Sequence, residues 1–171
     1  QIYCNTSPKL INANKPIANV DGVLNAINIE TDQLQSLFLE GEGAGGKATA
    51  SSVISDLYEI FYNKNINSLG YTINNLTKFQ KMNILNMKSA YYLRIMTKDT
   101  AGVLSKITSY FKDSNISIQK ILQLPDSKDK PIPIIISTHE VEKGKLINAI
   151  KNIEMQEFVM EKIIMIPIDE S

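Results

Sequence analysis

The chain has 171 residues, no net charge at pH 7, 43% hydrophobic residues and 21% charged residues. A chain near this length buries ~70% of its unfolded surface, enough for one ordinary domain or two small ones. Charge balance excludes a polybasic binder of nucleic acid or membrane, and no apolar run approaches the ~18 residues of a membrane-spanning helix.

In chain order, Gly22 to Glu30 is β-branched and partly alternating, which predicts a strand. Thr31-Asp32-Gln33 is a polar break, and Leu34 to Glu40 predicts a second strand, the two forming a hairpin. Four glycines follow within six residues: Gly41, Gly43, Gly45 and Gly46. Ala50, Val53, Ile54, Leu57, Ile60 and Phe61 then recur at helical spacing, predicting an amphipathic helix over 47–63. Residues 64–88 are polar and asparagine-rich, too long for an ordinary loop, and read as a linker with a short helix over 76–87.

The second half has a clearer rhythm. Tyr91 to Met96 predicts a strand, Lys98 to Gly102 a turn, and Val103, Leu104, Ile107, Tyr110 and Phe111 one helix face. Ile116, Ile118, Lys120 and Leu122 are expected on one face of the next strand, with a charged loop over 125–131. Ile132 to Ser137 predicts an interior strand. Leu146, Ile147 and Ile150 predict a second helix, and Phe158 to Ile166 a last strand closed by Pro167. The order βαββαβ is the ferredoxin-like plan, with two helices on one face of a four-stranded sheet. The fold class is α+β: this domain preceded by a strand-hairpin-helix segment. Ile121 and Ile163 are expected opposite Ile118 and Ile164, so that both sheet faces are apolar and the second is covered by another copy.

The glycine segment follows a strand and opens a helix, where free N–H groups favour an anion and glycines let a ligand approach. It is neither a P-loop, since Lys47 is followed by Ala48, nor a dinucleotide fingerprint, since its helix leads into the linker. A tight strand-to-helix turn is the alternative reading. His139 is the one histidine and cannot build a metal site alone, so no metal is expected. The lone Cys4 cannot close an internal disulfide; it reads as a small, partly buried residue in a reducing, cytoplasmic setting. Glu40, Glu42 and the lysine-rich loop 127–130 read as solvated. Tyr91-Tyr92 reads as one core and one interface residue. The start at Gln1, without a signal peptide, reads as a piece of something longer.

Residues 15–26, then Gly41-Glu42-Gly43-Ala44-Gly45-Gly46, Thr49-Ala50 and Asp56-Leu57, resemble the end of the catalytic region of homoserine dehydrogenase, with Ile17 where the family has leucine. Tyr91 to Ile95, Asp99 to Leu104, Asn115 to Ile118 and Ile134 to His139 resemble an ACT domain, a small amino-acid-binding regulatory module. The implied organisation is a catalytic and dimerisation end over 1–63, a linker over 64–88 and an ACT domain over 89–171. The resemblance implies NAD(P)-dependent interconversion of aspartate semialdehyde and homoserine by a longer chain. Gly43, Gly45 and Gly46 would then lie near the nicotinamide cofactor. The family's catalytic lysine and acidic residues lie upstream of the matched part, so no catalytic residue is assigned here and none of Lys9, Lys47 or any other lysine takes that role. The 171 residues alone are expected to bind no cofactor and to be inactive.

The ACT resemblance places an amino-acid effector, threonine in the favoured reading, at a homodimer interface. Asp99, Thr100, Ala101, Gly102, Val103 and Leu104 would form one wall, and Asn115 and Ile116 of a second copy the other. Asp99 or Thr100 would cap the helix, and Asp99 would hold the effector's ammonium group. Ala101 stands where the family often has proline. A non-enzymatic amino-acid sensor, or a purely structural dimerisation module, is the alternative function.

Overall fold

The computed structural model describes residues 2–62, 73–123 and 131–169. The predicted charged loops over 125–131 and 127–130, save Pro131, and the part of the linker from 64 to 72 lie outside these residues. The chain groups into two compact units. The sheet unit comprises 1–11 and 79–171, and the hairpin unit 12–78.

The sheet unit carries β1 (Leu10–Ile11), β4 (Lys88–Thr97), α2 (Val103–Asp113), β5 (Ile118–Gln123), β6 (Ile132–Thr138), β7 (Val141–Glu142), α3 (Lys143–Glu154) and β8 (Ile164–Asp169). The strand order is β1-β8-β4-β6-β5, with β7 beside β4. Setting aside β1 and the short β7, this is the expected βαββαβ sheet, antiparallel throughout. Alternation along β4 and β6 sends Tyr91, Leu93, Ile95, Ile134 and Ile136 to the face that α2 and α3 cover. There they meet Val103, Ile107 and Phe111 of α2 and Leu146, Ala149, Ile150 and Ile153 of α3. Burial of these side chains at about 1.5–3 kcal/mol each is the main stabilising contribution.

Four details depart from the sequence reading. A bulge between Ile118 and Lys120 shifts β5 by one residue, so that Ile118 faces Thr138 and Ile121 faces Ile136. Ile118 and Ile121 therefore share the helix-covered face, while Lys120 and Leu122 turn to the other, beside Ser137 and Ile135. Ile163 belongs to the core, and Ile164 pairs with the exposed Arg94 on the open face. The last strand begins only at Ile164: Phe158 is buried within a turn, and the Lys98 N–H donates to its carbonyl. Pro167 does not close β8 but lies inside it, opposite Tyr91. Its missing N–H is tolerated because β1 pairs with β8 only from Ile168 onward.

Residues 2–11 were not foreseen in this unit. Leu10 and Ile11 run parallel to Ile168 and Asp169, and Ile2 exchanges backbone hydrogen bonds with Gln80 and Met82. The expected helix over 76–87 is reduced to one 3-10 turn at Ile84–Asn86, capped by the Asn83 side chain.

In the hairpin unit, β2 (Leu24–Thr31) and β3 (Gln35–Glu42) pair antiparallel over their whole length. A three-residue connection joins them, with Gln35 at φ 60 and the Leu34 N–H donating to Thr31 Oγ1. α1 (Gly46–Tyr62) follows. It contains no buried residue. Ile54 is 66% exposed and Phe61 74%, and Ile27 and Leu39 of the hairpin are exposed too. The helical spacing that predicts an apolar face is present, but the face is uncovered within the described residues.

Candidate functional site

The turn between β4 and α2 is shaped by its backbone. Thr97 is the last residue of β4 and fully buried. The chain then leaves the sheet: the Thr100 N–H donates to the Lys98 carbonyl, and the Val103 N–H to Thr100. Gly102 takes φ 87, ψ −6, the left-handed region where glycine has no Cβ penalty, and stands at the N-cap of α2. No side chain caps this helix. Asp99 and Thr100, the expected caps, sit too early: the helix begins at Val103 rather than near Ala101, and the Lys106 N–H takes the Gly102 carbonyl. The Leu104 and Ser105 N–H groups have no backbone acceptor among the described residues. They point out of a helix end that favours negative charge.

A cavity of about 210 Å³ opens at this turn. All six residues of the predicted wall, Asp99 through Leu104, line it, together with Thr97, Lys98, Gln123, Ile132 and Ile134. Its volume is below the ~300–1,000 Å³ of pockets for drug-sized ligands and suits something of amino-acid size. The floor is apolar, since Ile132, Ile134 and Val103 are buried, whereas Lys98, Asp99 and Thr100 are exposed at the rim. A carboxylate has the α2 amides and Lys98 available, and an ammonium group has Asp99. Of the five additional residues, Thr97 and Lys98 directly precede the predicted wall, whereas Gln123, Ile132 and Ile134 escaped sequence reasoning because strand pairing brings them in.

Asn115 and Ile116 do not reach this cavity. They lie beyond the other end of α2, an 11-residue helix about 16 Å long. Their local role is structural. Asn115 adopts φ 52, its N–H donates to the Lys112 carbonyl, and the Ile116 N–H donates to Phe111. This is a Schellman motif, with asparagine at the left-handed position and an apolar contact between the flanking residues. Ile116 is 5% exposed and packs in the core with Phe111. Its side chain is therefore committed to the core, whereas Asn115 is exposed.

The glycine segment lies in the hairpin unit. The Gly43 N–H extends the ladder to Val23. A Cβ on Gly43 would run into the Asn25 amide. Gly45 adopts φ 128, outside the reach of ordinary L residues, and its carbonyl accepts the Thr49 N–H at the start of α1. Around Gly41, Gly45 and Gly46 nothing lies within 4 Å of where a Cβ would stand. Two independent features thus coincide: a backbone bare of side chains and the open amides of a helix start. At Gly41, Gly45 and Gly46 the backbone leaves room for close approach by another group.

Elsewhere, Tyr91 is in the core and Tyr92 half-buried on the open face. Cys4 is exposed, not partly buried as expected, and His139 is exposed. Glu40 and Glu42 are exposed as well. Among the described residues no helix is long and apolar enough to cross a membrane.

Comparison with known proteins adds two matches in the same order as the sequence motifs. Residues 1–58 match the homoserine dehydrogenase family, and residues 91–154 the ACT domain. Over 95% of this chain, it is 32% identical to a homoserine dehydrogenase of Pseudomonas aeruginosa, and over 90% it is 34% identical to one of Helicobacter pylori. A solved homoserine dehydrogenase from Thiobacillus denitrificans superposes on 95% of the chain with a TM-score of 0.83 at 31% identity. The chain spans 39% and 36% of the two relatives and 38% of the solved chain.

Proposed function

We propose that this chain, similar in sequence and fold to homoserine dehydrogenases, works as the carboxy-terminal regulatory and assembly end of an NAD(P)-dependent enzyme interconverting L-aspartate 4-semialdehyde and L-homoserine. The homoserine dehydrogenase part runs over 1–63, a connection over 64–88 and the ACT domain over 89–171. The cavity at the β4–α2 turn carries the regulatory reading. It is lined by the six predicted residues, has an apolar floor and offers charges of both signs at its rim. An end-product amino acid, threonine in the first instance, binds there with its carboxylate on the α2 amides and its ammonium group on Asp99. A second copy brings Asn115, with Ile116 beside it, to the open side, so that the two ends of one helix serve one site across the dimer. Inhibition requires that the effector bind one state of the enzyme better than the other.

The glycine cradle contributes to the cofactor site. Gly45 and Gly46 leave room for the nicotinamide end, and Gly43 closes the hairpin ladder on Val23 beside Asn25. The cofactor supplies hydride transfer when bound; these residues only let it approach and keep side chains out of its way. Upstream parts of the enzyme, together with a second copy, cover the exposed faces of α1 and the hairpin. The location is the cytoplasm, where the exposed Cys4 stays reduced.

Calorimetry of the 171-residue chain with threonine and other amino acids tests the sensing role. Saturable heat with threonine, lost in Asp99→Ala, is expected; a flat titration with every amino acid refutes it and leaves a structural module. Measured NAD(P)-dependent turnover by the chain alone would overturn the assignment of the catalytic groups to upstream parts.

A further inference from the structure

A second cavity, of about 330 Å³, opens in the sheet unit where β1 runs beside β8. Four charged residues line it: Lys9, Lys88, Glu140 and Asp169. Met87 and Ile168 give it an apolar wall. Lys9 Nζ stands 4.0 Å from Asp169 Oδ2, so those two answer one another across the seam. The side chains of Lys88 and Glu140 form no ion pair with each other or with any other described residue. The Ser89 hydroxyl, also in the wall, is already engaged with the Ala90 and Ile168 carbonyls.

The polar side chains of the cavity outside the Lys9–Asp169 pair and Ser89 are thus one ammonium group and one carboxylate, lining it together with the apolar Met87 and Ile168. A lone anion would satisfy Lys88 and be repelled by Glu140, and a lone cation the reverse. A zwitterion answers both, through charge-assisted hydrogen bonds of the stronger class. We propose that this cavity binds a small α-amino acid with a short apolar or hydroxylated side chain. Its ammonium group rests on Glu140, its carboxylate on Lys88 and its side chain against Met87 and Ile168. The site is distinct from the β4–α2 turn and does not depend on that turn binding anything.

The walls have a consequence for the fold. Lys9 borders β1, whereas Ile168 and Asp169 belong to β8, so the cavity is complete only while the two strands are paired. A ligand that binds only the complete cavity stabilises that pairing by mass action.

An amide-resolved NMR titration of the 171-residue chain tests this, with threonine, alanine and valine as ligands and propionate and propylamine as single-charge controls. Saturable shifts at residues 87–90 and at Ile168 are expected with the amino acids and not with the controls. Glu140→Gln and Lys88→Met, both at exposed positions, are each expected to raise the dissociation constant about tenfold. Any shifts at residues 100–104 should persist in both variants. Shifts confined to the β4–α2 turn, equal shifts with the single-charge controls, or unchanged affinity in both variants would overturn the proposal. Absence of shifts at the turn alone would instead count against the effector site proposed above.

Discussion

Gly102→Ala is the sharpest probe of the β4–α2 turn. Gly102 sits at φ 87, ψ −6, and nothing lies within 4 Å of where a Cβ would stand. The substitution therefore meets no neighbour, and its cost is that of the backbone alone. Holding an L residue in the left-handed region costs about 1–2 kcal/mol. Alanine also lowers the entropy of the unfolded chain, which offsets about 0.4–1 kcal/mol of that native strain. The net loss is on the order of 1 kcal/mol. For a cooperative unit of about 100 residues, that lowers the melting temperature by about 4–8 °C. Thermal melts followed by circular dichroism, with Gly102→Asn alongside, give the readout. Asparagine tolerates the left-handed region and should lose clearly less than alanine. An unchanged or raised melting temperature for Gly102→Ala would refute the left-handed turn, and with it the geometry of the cavity. Equal losses for alanine and asparagine would show that backbone strain is not the cause.

The remaining predictions follow from burial and capping. Leu93→Ala, at a fully buried core position, should cost about 2–5 kcal/mol, whereas Leu57→Ala on the exposed α1 should stay within about 0.5 kcal/mol; urea unfolding of the two variants separates them. Asn115→Ala should destabilise the sheet unit by about 1 kcal/mol, because it places alanine at φ 52, and Asn115→Gly should not; the same melts decide. Burial, and then the nearby Tyr3, raise the Tyr91 pKa above its ordinary 10.0. The folded state thus holds the Tyr91 proton more tightly than the unfolded chain. Its contribution to stability is complete below pH 10 and falls away as the pH rises through the folded value. Unfolding free energies measured from pH 8 to 11 should decline only above about pH 10, and Tyr91→Phe should flatten that decline.

Strand alternation was enough to read the sheet unit because its signal is local. Leu93, Ile95, Ile134 and Ile136 alternate with polar or half-buried neighbours, and that spacing fixes which face is core. The reading failed where non-local pairing takes over. The bulge that moves Ile121 to the side of Ile118 leaves no mark in composition. The parallel pairing of Leu10 and Ile11 with Ile168 and Asp169 joins residues more than 150 positions apart, which no window can detect. The site residues divide in the same way. The turn Asp99 to Leu104 is one contiguous segment and was legible, whereas Gln123, Ile132 and Ile134 reach the cavity through the sheet and were not. Asn115-Ile116 carries a further lesson: a motif singled out for ligand contact is accounted for within this chain by helix capping. The Asn115 side chain stays exposed and the Ile116 side chain is buried, so any role of this pair in binding rests on Asn115.

The hairpin unit shows what periodicity can and cannot specify. Val53, Ile54, Leu57, Ile60 and Phe61 define an apolar face on α1, as their spacing requires, and the hairpin adds Ile27, Ile29, Leu37 and Leu39. None of these residues is buried within the described structure. An isolated two-stranded hairpin is marginal in water, and an apolar helix face with no cover contributes little to stability. The pattern states that a surface must be met and is silent on what meets it. The relatives extend well beyond the 36–39% of their length that this chain spans, so in them such cover has ample sequence to come from. The sheet unit, by contrast, closes its own core. This difference makes the sheet unit the part in which the proposed ligand binding can be measured in the chain as it stands, and it ties the proposed cofactor role of the glycine segment to further sequence that covers the hairpin unit.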